Sequence, residues 1–265
     1  MVEALQKIFA ERDIAYAEVI PFSEVSVLFP RKIAQLSFTP QSVIIFAIPY
    51  YAGEFDKRNL SRYAVAKDYH FFFRTFSDEV KNELQKLYPT ADFAAFADNS
   101  PIDERAAAAK AGLGMLGMHS LLITEKYGSY VFIGEFLTSI PYDKIGTLAS
   151  FGMLECEKCG LCLKSCPKKE TCLSALTQKK GELTRDEKDE IASLGSVWGC
   201  DICQEVCPHS RNAEITPIAY FKEDLIAHLT PETVENMSED EFAHRAYSWR
   251  GKKTILRNLL LFDQP

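Results

Sequence analysis

The sequence predicts an α+β protein: a mixed α/β domain, then a cysteine module, then a short helical tail. Three observations carry this. All eight cysteines fall between residues 156 and 207, which separates a long cysteine-free front from a cysteine-rich middle and a cysteine-free end. The front, residues 1–150, alternates helical and strand periodicities, while residues 213–265 are mostly helical in period. That leaves 151–212 as the module, and 265 residues suffice for one core-forming domain plus a smaller unit.

The front opens with an amphipathic helix over residues 1–12. Residues 42–48 (SVIIFAI) are a short unbroken apolar run of the kind that makes a buried strand. Residues 68–87 return to helical period, with Tyr69, Phe72, Phe73 and Phe76 at the spacing of one helix face. Residues 93–97 read as a second strand. Ser100, Pro101 and Asp103 then supply a helix start, with serine at the N-cap, proline at the first helical position and an acid three residues on. The alanine-rich stretch continues that helix to Ala111, and Gly112 stops it. Residues 129–137 (SYVFIGEFL) read as a third strand. Beyond the two cysteine runs there is no internal repeat and no low-complexity segment.

The module reads Cys156-x2-Cys159-x2-Cys162-x3-Cys166-Pro167, then Cys172, then Cys200-x2-Cys203-x3-Cys207-Pro208. This is the spacing of a protein with two 4Fe-4S clusters, where a tight run gives three thiolates to one cluster and its fourth to the other. By that exchange one cluster takes Cys156, Cys159, Cys162 and Cys207. The other takes Cys166, Cys172, Cys200 and Cys203, and no cysteine is left over. Ligands this dense do not suit a single tetrahedral zinc. Disulfides need an oxidising compartment, and residues 1–20 lack the basic start and apolar core of an export signal. No apolar run approaches the roughly 18 residues of a membrane span, so the expectation is a cytoplasmic protein without a membrane partner. The net charge of −7 gives no overall attraction for nucleic acid. The one local basic stretch, Arg245, Arg250, Lys252, Lys253 and Arg257, reads on charge alone as a solvated helix face.

A ferredoxin by itself has no need of 150 preceding residues, and ordered motifs run through them. They are Leu60-Ser61-Arg62-Tyr63-Ala64 leading to Asp68-Tyr69-His70, Ala97-Asp98-Asn99-Ser100-Pro101 with Glu104, and Lys110-Ala111-Gly112-Leu113-Gly114 through Gly117 to His119-Ser120-Leu121-Leu122. Gly134-Glu135, Cys172-Leu173-Ser174-Ala175-Leu176-Thr177 and Gly199-Cys200-Asp201 with Cys203-Gln204 follow in turn. From about residue 40 to the end this order resembles the epoxyqueuosine reductase family. The resemblance implies that the front is like the corrinoid-binding domain of reductive dehalogenases, with a cobalamin between it and a ferredoxin-like two-cluster module. It implies an oxidoreductase that reduces an epoxide on a modified tRNA base to an alkene, fed by an external donor of flavodoxin or ferredoxin type. Losing the epoxide oxygen as water takes two electrons and two protons, and the family's proton donor is the aspartate matching Asp98. Cofactor contacts are implied for Arg62, Tyr63, His119, Ser174 and Asp201.

From pattern alone Asp98 lies between a strand and a helix start, where aspartate usually turns the chain or caps the helix. To act as an acid near neutrality its pKa must rise from about 3.9, which burial favours. Gly112, Gly114 and Gly117 follow a helix instead of opening one, so they do not make a phosphate loop. Close approach to a flat macrocycle suits them better, although a helix stop explains Gly112 equally well. His119 is either a pocket donor or a half-buried histidine, and His70, in an aromatic helix, is expected to pack. Three phenylalanines follow His70, so the Asp-x-His-x-x-Gly cobalamin motif is absent, and a corrinoid here is expected to have no histidine below the cobalt.

Three departures from the family stand out. Only five residues part Cys166 and Cys172, Met118 replaces a lysine usual before the family's histidine, and residues 249–261 resemble only the beginning of the helical repeats that help hold tRNA. The expectation is a complete reductive core with tRNA as a candidate partner. Two alternatives remain open: a related corrinoid and iron-sulfur reductase of a different small substrate, and an electron-transfer protein that catalyses nothing. Asp98 and the glycine motif weigh against the latter, because a pure carrier needs neither.

Overall fold

The computed structural model describes residues 2–146, 156–167 and 171–262. At its centre is a four-stranded sheet in the order β1 (Tyr16–Pro21), β2 (Ser42–Pro49), β6 (Val131–Thr138), β3 (Phe93–Ala97), with every pairing antiparallel. A separate two-stranded hairpin joins β4 (Met115–Leu116) to β5 (Leu122–Ile123). In the main sheet Ile45 stands opposite Glu18 on one side and Glu135 on the other, and Glu135 stands opposite Phe96.

β2 is apolar without interruption because helices cover both of its faces. Ile44, Phe46 and Ile48 pack with Leu5, Phe9, Phe73, Phe76 and Phe136 on one side. Val43, Ile45 and Ala47 pack with Tyr16, Ala107, Ala108, Ile133 and Leu137 on the other. Burial of this kind contributes roughly 1.5–3 kcal/mol per large side chain. The first face is covered by the helices Val2–Ala10 and Tyr69–Leu87, the second by the helix Glu104–Lys110. The long helix starts at Asp68, whose carboxylate accepts the His70 backbone N–H at 3.0 Å. Tyr69, Phe73, Phe76, Val80 and Leu84 form its buried stripe.

The helix after β3 begins later than the Ser100-Pro101 signal suggests. Asp103 is its cap, accepting from the Ala106 N–H at 3.2 Å. The Ser100 hydroxyl accepts instead from Ile102 N–H at 3.1 Å, and the Pro101 carbonyl takes the N–H groups of Leu28 and Phe29 at 2.9 and 3.0 Å. Those bonds to a neighbouring loop keep residues 100–102 out of the helix. Gly112 does end it, at a φ of +84°.

The C-terminal residues clamp the front to the module. Ile218 and Phe221 enter the core beneath the long helix. Leu229, Val234, Tyr247, Ile255 and Leu259 surround Trp198 together with Leu60, Ala64 and Val65 from the front. Asn258, fully buried, donates to the carbonyls of Thr177 and Val197 at 2.8 and 2.9 Å. No helix among the described residues is long and apolar enough to cross a membrane.

Candidate active site

The structure gathers the cysteines into two groups. Cys156, Cys159, Cys162 and Cys207 line one small cavity together with Gly117, His119 and Ile123. Cys172, Cys200 and Cys203 line a second, far larger one. Burial first, then the neighbouring Cys200, Cys172 and Cys166, pushes the Cys203 thiol up to about 12. Burial also raises Cys200, beside Cys172 and Cys166, and Cys207, beside Cys162 and Cys156. Thiols in this state stay protonated near neutrality unless a cation compensates their thiolates, which is what a metal centre supplies. Among the described residues no three His, Cys, Asp or Glu converge as a single ion requires. Seven of the eight cysteines line the two cavities instead.

The large cavity holds about 720 Å³, within the range typical of small-molecule sites. Tyr63, Asp98, Glu104, Phe132 and Ile133 line its front side, Cys172, Ser174, Cys200 and Cys203 its module side, and Trp249 comes from the tail. Tyr69, also lining it, stacks on Phe132 with ring centroids 3.9 Å apart. The Tyr63 hydroxyl accepts from Trp198 Nε1 at 2.8 Å. Burial raises the pKa of both phenols, so they remain neutral.

Asp98 lies on the cavity wall but is exposed, without the burial expected of it. Its φ is +64°, and the Asn99 N–H donates back across it to the Ala97 carbonyl at 2.7 Å. Such a positive-φ γ-turn is strained, at a cost on the order of 1–3 kcal/mol. Lys32 Nζ steadies the turn by donating to the Asn99 carbonyl at 2.8 Å.

The perturbed carboxyl on this wall is Glu104. Burial first, and the charge of Asp98 second, push it up to about 7, partly offset by the Asp98 backbone N–H that lies toward it. Its Oε2 is enclosed with no hydrogen-bond partner. On β6, Glu135 is fully buried, and burial holds its pKa well above the usual carboxylate range. The Ser100 hydroxyl faces Glu135 and favours its ionised form, yet neither Glu135 oxygen has a partner of hydrogen-bonding geometry.

His119 lines both cavities. Its Nδ1 accepts from the Leu121 N–H at 3.2 Å, which assigns the ring proton to Nε2, a buried atom without a partner. Burial lowers its pKa, favouring the neutral ring. Tyr63 and Ser174 also reach the large cavity, but Arg62 and Asp201 do not line it. Arg62 is spent on Glu54 and Glu205 at 2.9 and 3.1 Å. Asp201, its side chain wholly buried, takes Arg58 at 2.7 Å, the Ser61 hydroxyl at 2.5 Å and the Arg62 N–H at 2.8 Å. These two residues tie the front to the module.

Three further expectations change. His70 packs only in part: its ring lies 4.2 Å from that of Tyr69, but the residue is exposed and its Nδ1 lies 2.7 Å from Asp68 Oδ1, a contact that raises its pKa. Gly114 and Gly117 serve the β4–β5 hairpin, since a Cβ at Gly114 would come within 2.1 Å of the Ile123 carbonyl oxygen and one at Gly117 within 2.7 Å of the His119 ring. The basic stretch is largely committed to the fold. Arg245 donates to the Asp224 carbonyl at 2.6 Å, Lys252 to the Met237 carbonyl at 2.8 Å, and Arg257 to the carbonyls of Lys179 and Gly181 at 2.8 and 2.6 Å. Arg250 lies 3.8 Å over the ring of the exposed Trp249.

A family model described as epoxyqueuosine reductase QueG, DUF1730, matches residues 31–99. The epoxyqueuosine reductase of Staphylococcus aureus is 30% identical over 98% of this chain and 72% of its own length. The chain belongs to the epoxyqueuosine reductase family. The Lactococcus garvieae epoxyqueuosine reductase is 31% identical over 78% of this chain, and the match spans 62% of that relative. A crystal structure of epoxyqueuosine reductase with an epoxyqueuosine-modified tRNA-Tyr stem loop shares the fold with a TM-score of 0.78 and 25% identity, over 99% of this chain and 81% of that one. The mixed α/β fold is thus that of epoxyqueuosine reductases, and membership of the family makes the chain an oxidoreductase.

Proposed function

We propose that this chain reduces the epoxide of epoxyqueuosine in tRNA to the alkene of queuosine, with two 4Fe-4S clusters and a cobalamin as cofactors. The observation that carries this reading is the shared cavity: Asp98 and Glu104 line one side, Cys172, Cys200 and Cys203 the other. A proton source and an electron source therefore face the same space.

The residues fit these groups. Cys156, Cys159, Cys162 and Cys207 would hold one cluster, and Cys166, Cys172, Cys200 and Cys203 the second, nearer the cavity. The apolar wall of Val131, Phe132 and Ile133 suits the face of a macrocycle, and the unpartnered Nε2 of His119 suits its polar rim, with Tyr63 and Ser174 as further contacts. When bound, the clusters supply electrons singly and the corrinoid supplies a strongly reducing centre. Residues 1–150 then form the corrinoid- and substrate-binding domain, 151–212 the ferredoxin-like domain and 213–265 the tail. A flavodoxin- or ferredoxin-type donor would reduce them, in the cytoplasm.

Reduction of the epoxide consumes two electrons and two protons and releases water. Asp98, on the cavity wall, is the residue assigned to deliver a proton to the departing oxygen, general acid assistance worth roughly 10²–10⁴-fold. The exposed Trp249, with Arg250 over its ring, offers a stacking face for a base at the cavity rim. A second reading, a smaller substrate, is favoured by the basic side chains already bound to carbonyls.

The test supplies the reconstituted protein with reductant and either epoxyqueuosine-containing tRNA or the free nucleoside, and follows the modified base by mass spectrometry. Loss of one oxygen atom from the tRNA-borne base supports the proposal. Conversion of the free nucleoside alone establishes the second reading. No conversion of either, with iron and cobalamin bound, overturns both.

A further inference from the structure

We infer that Glu104 is a positioning residue for Asp98: it braces the strained turn that carries Asp98 to the cavity and shares a proton with it. The inference rests on the reading of Asp98 as the proton donor. Four observations lead to it. Asp98 and Glu104 line the same cavity, from the end of β3 and the first turn of the following helix. The Asp98 amide lies toward the Glu104 carboxyl, on the strained turn itself. Glu104 Oε2 is enclosed without a partner, whereas Asp98 is exposed. Behind them Glu135, fully buried and also unpartnered, offers no cation that would hold Glu104 ionised.

The other charged and titratable groups around Glu104 agree with this. Asp98 and Asp103 disfavour its ionisation and Arg105 favours it, but the Arg105 guanidinium is drawn toward the Ser120 carbonyl at 3.0 Å and Asp103 at 3.9 Å. Tyr69, raised in part by Glu104 itself, remains a neutral phenol. Tyr63, Asp68, His70 and His119 are further titratable groups on the cavity wall. The charge of Asp98 disfavours a second charge on Glu104, which therefore keeps its proton. When the departing oxygen takes a proton from Asp98, the Glu104 proton replaces it, leaving Glu104 as the carboxylate, and a proton drawn from bulk solvent through the cavity restores Glu104. Wild-type kcat should accordingly fall as the pH rises through about 7.

Glu104→Gln keeps the size and an acceptor oxygen for the Asp98 amide but cannot supply a proton. In reconstituted enzyme with the tRNA substrate it should retain its iron content and KM, lose kcat by roughly 10²-fold, and lose the inflection near neutral pH. Glu104→Ala, which also frees the turn, should fall further. In an Asp98→Asn background Glu104→Gln should cost nothing more, since residues that act as a unit are not additive. Wild-type kcat and pH profile in Glu104→Gln, or a fully additive loss in the double variant, overturns the inference while leaving the Asp98 reading intact. Normal turnover by Asp98→Asn alone overturns the Asp98 reading itself, and this inference with it.

Discussion

Two sets of four cysteines share one chemistry and differ in what surrounds them. Cys156 and Cys207 back onto Met115 and Ile123 in a small apolar cluster, and Cys159 is exposed. Cys172, Cys200 and Cys203 stand on the wall of the large cavity, which Asp98 also lines. Each set has one exposed cysteine, Cys159 and Cys172, so what separates them is the large cavity, where a cluster held by the second set would stand beside Asp98. Spacing alone makes the two sets equivalent. Only one of them borders the large cavity.

The largest effect should come from removing a ligand on the cavity side. Cys203→Ala is expected to abolish turnover while about half the iron, one cubane of two, remains. Cys159→Ala should likewise stop steady-state turnover from a protein donor, yet still allow one turnover when the remaining cluster is reduced chemically. Equal loss in both assays would erase the difference between the sets.

Asp98→Asn should come next, with kcat lowered by roughly 10²–10⁴-fold and iron content unchanged, because the loss falls on the proton side of the cavity. Smaller again is Arg58→Ala. It leaves the buried Asp201 without its cation, a change that costs about 3 kcal/mol where one partner of a buried pair is removed. Because Asp201 lies between Cys200 and Cys203, urea should release the cavity-side iron of this variant before the other. Simultaneous release would show that the two sets are not separately supported. Trp249→Ala should weaken tRNA binding by only about 1 kcal/mol, the low end for a base stacked on an aromatic ring, with iron and free-nucleoside turnover unaffected.

What the sequence shows and what it hides follow from the range of the forces involved. Cysteine spacing is legible because short turns bring most of the ligands together, and β3 at residues 93–97 and the apolar β2 announce themselves in the same local way. β1 does not, because Glu18 sits in its middle; its carboxylate is buried and accepts the Val19 N–H at 2.8 Å, so a buried strand reads as polar. The turn at Asp98 is invisible locally, since it depends on Lys32, Glu104 and the edge of the sheet, all brought together by folding. Asp98 itself came from family resemblance, not from pattern. Glu104 reads as an ordinary acid in a first helical turn, where a carboxylate is favoured by the helix dipole; only packing reveals that its Oε2 is enclosed without a partner. The basic stretch misleads for the converse reason, because the carbonyls that occupy it come from residues 179, 181, 224 and 237.

Whether the cysteines form two separate sets, one of them serving the cavity, is decided by iron per chain in wild type and Cys172→Ala, reconstituted side by side without oxygen. About eight irons are expected in the wild type and about four in the variant, since each cubane holds four. About four in the wild type, or no difference between the two proteins, would contradict two separate sets.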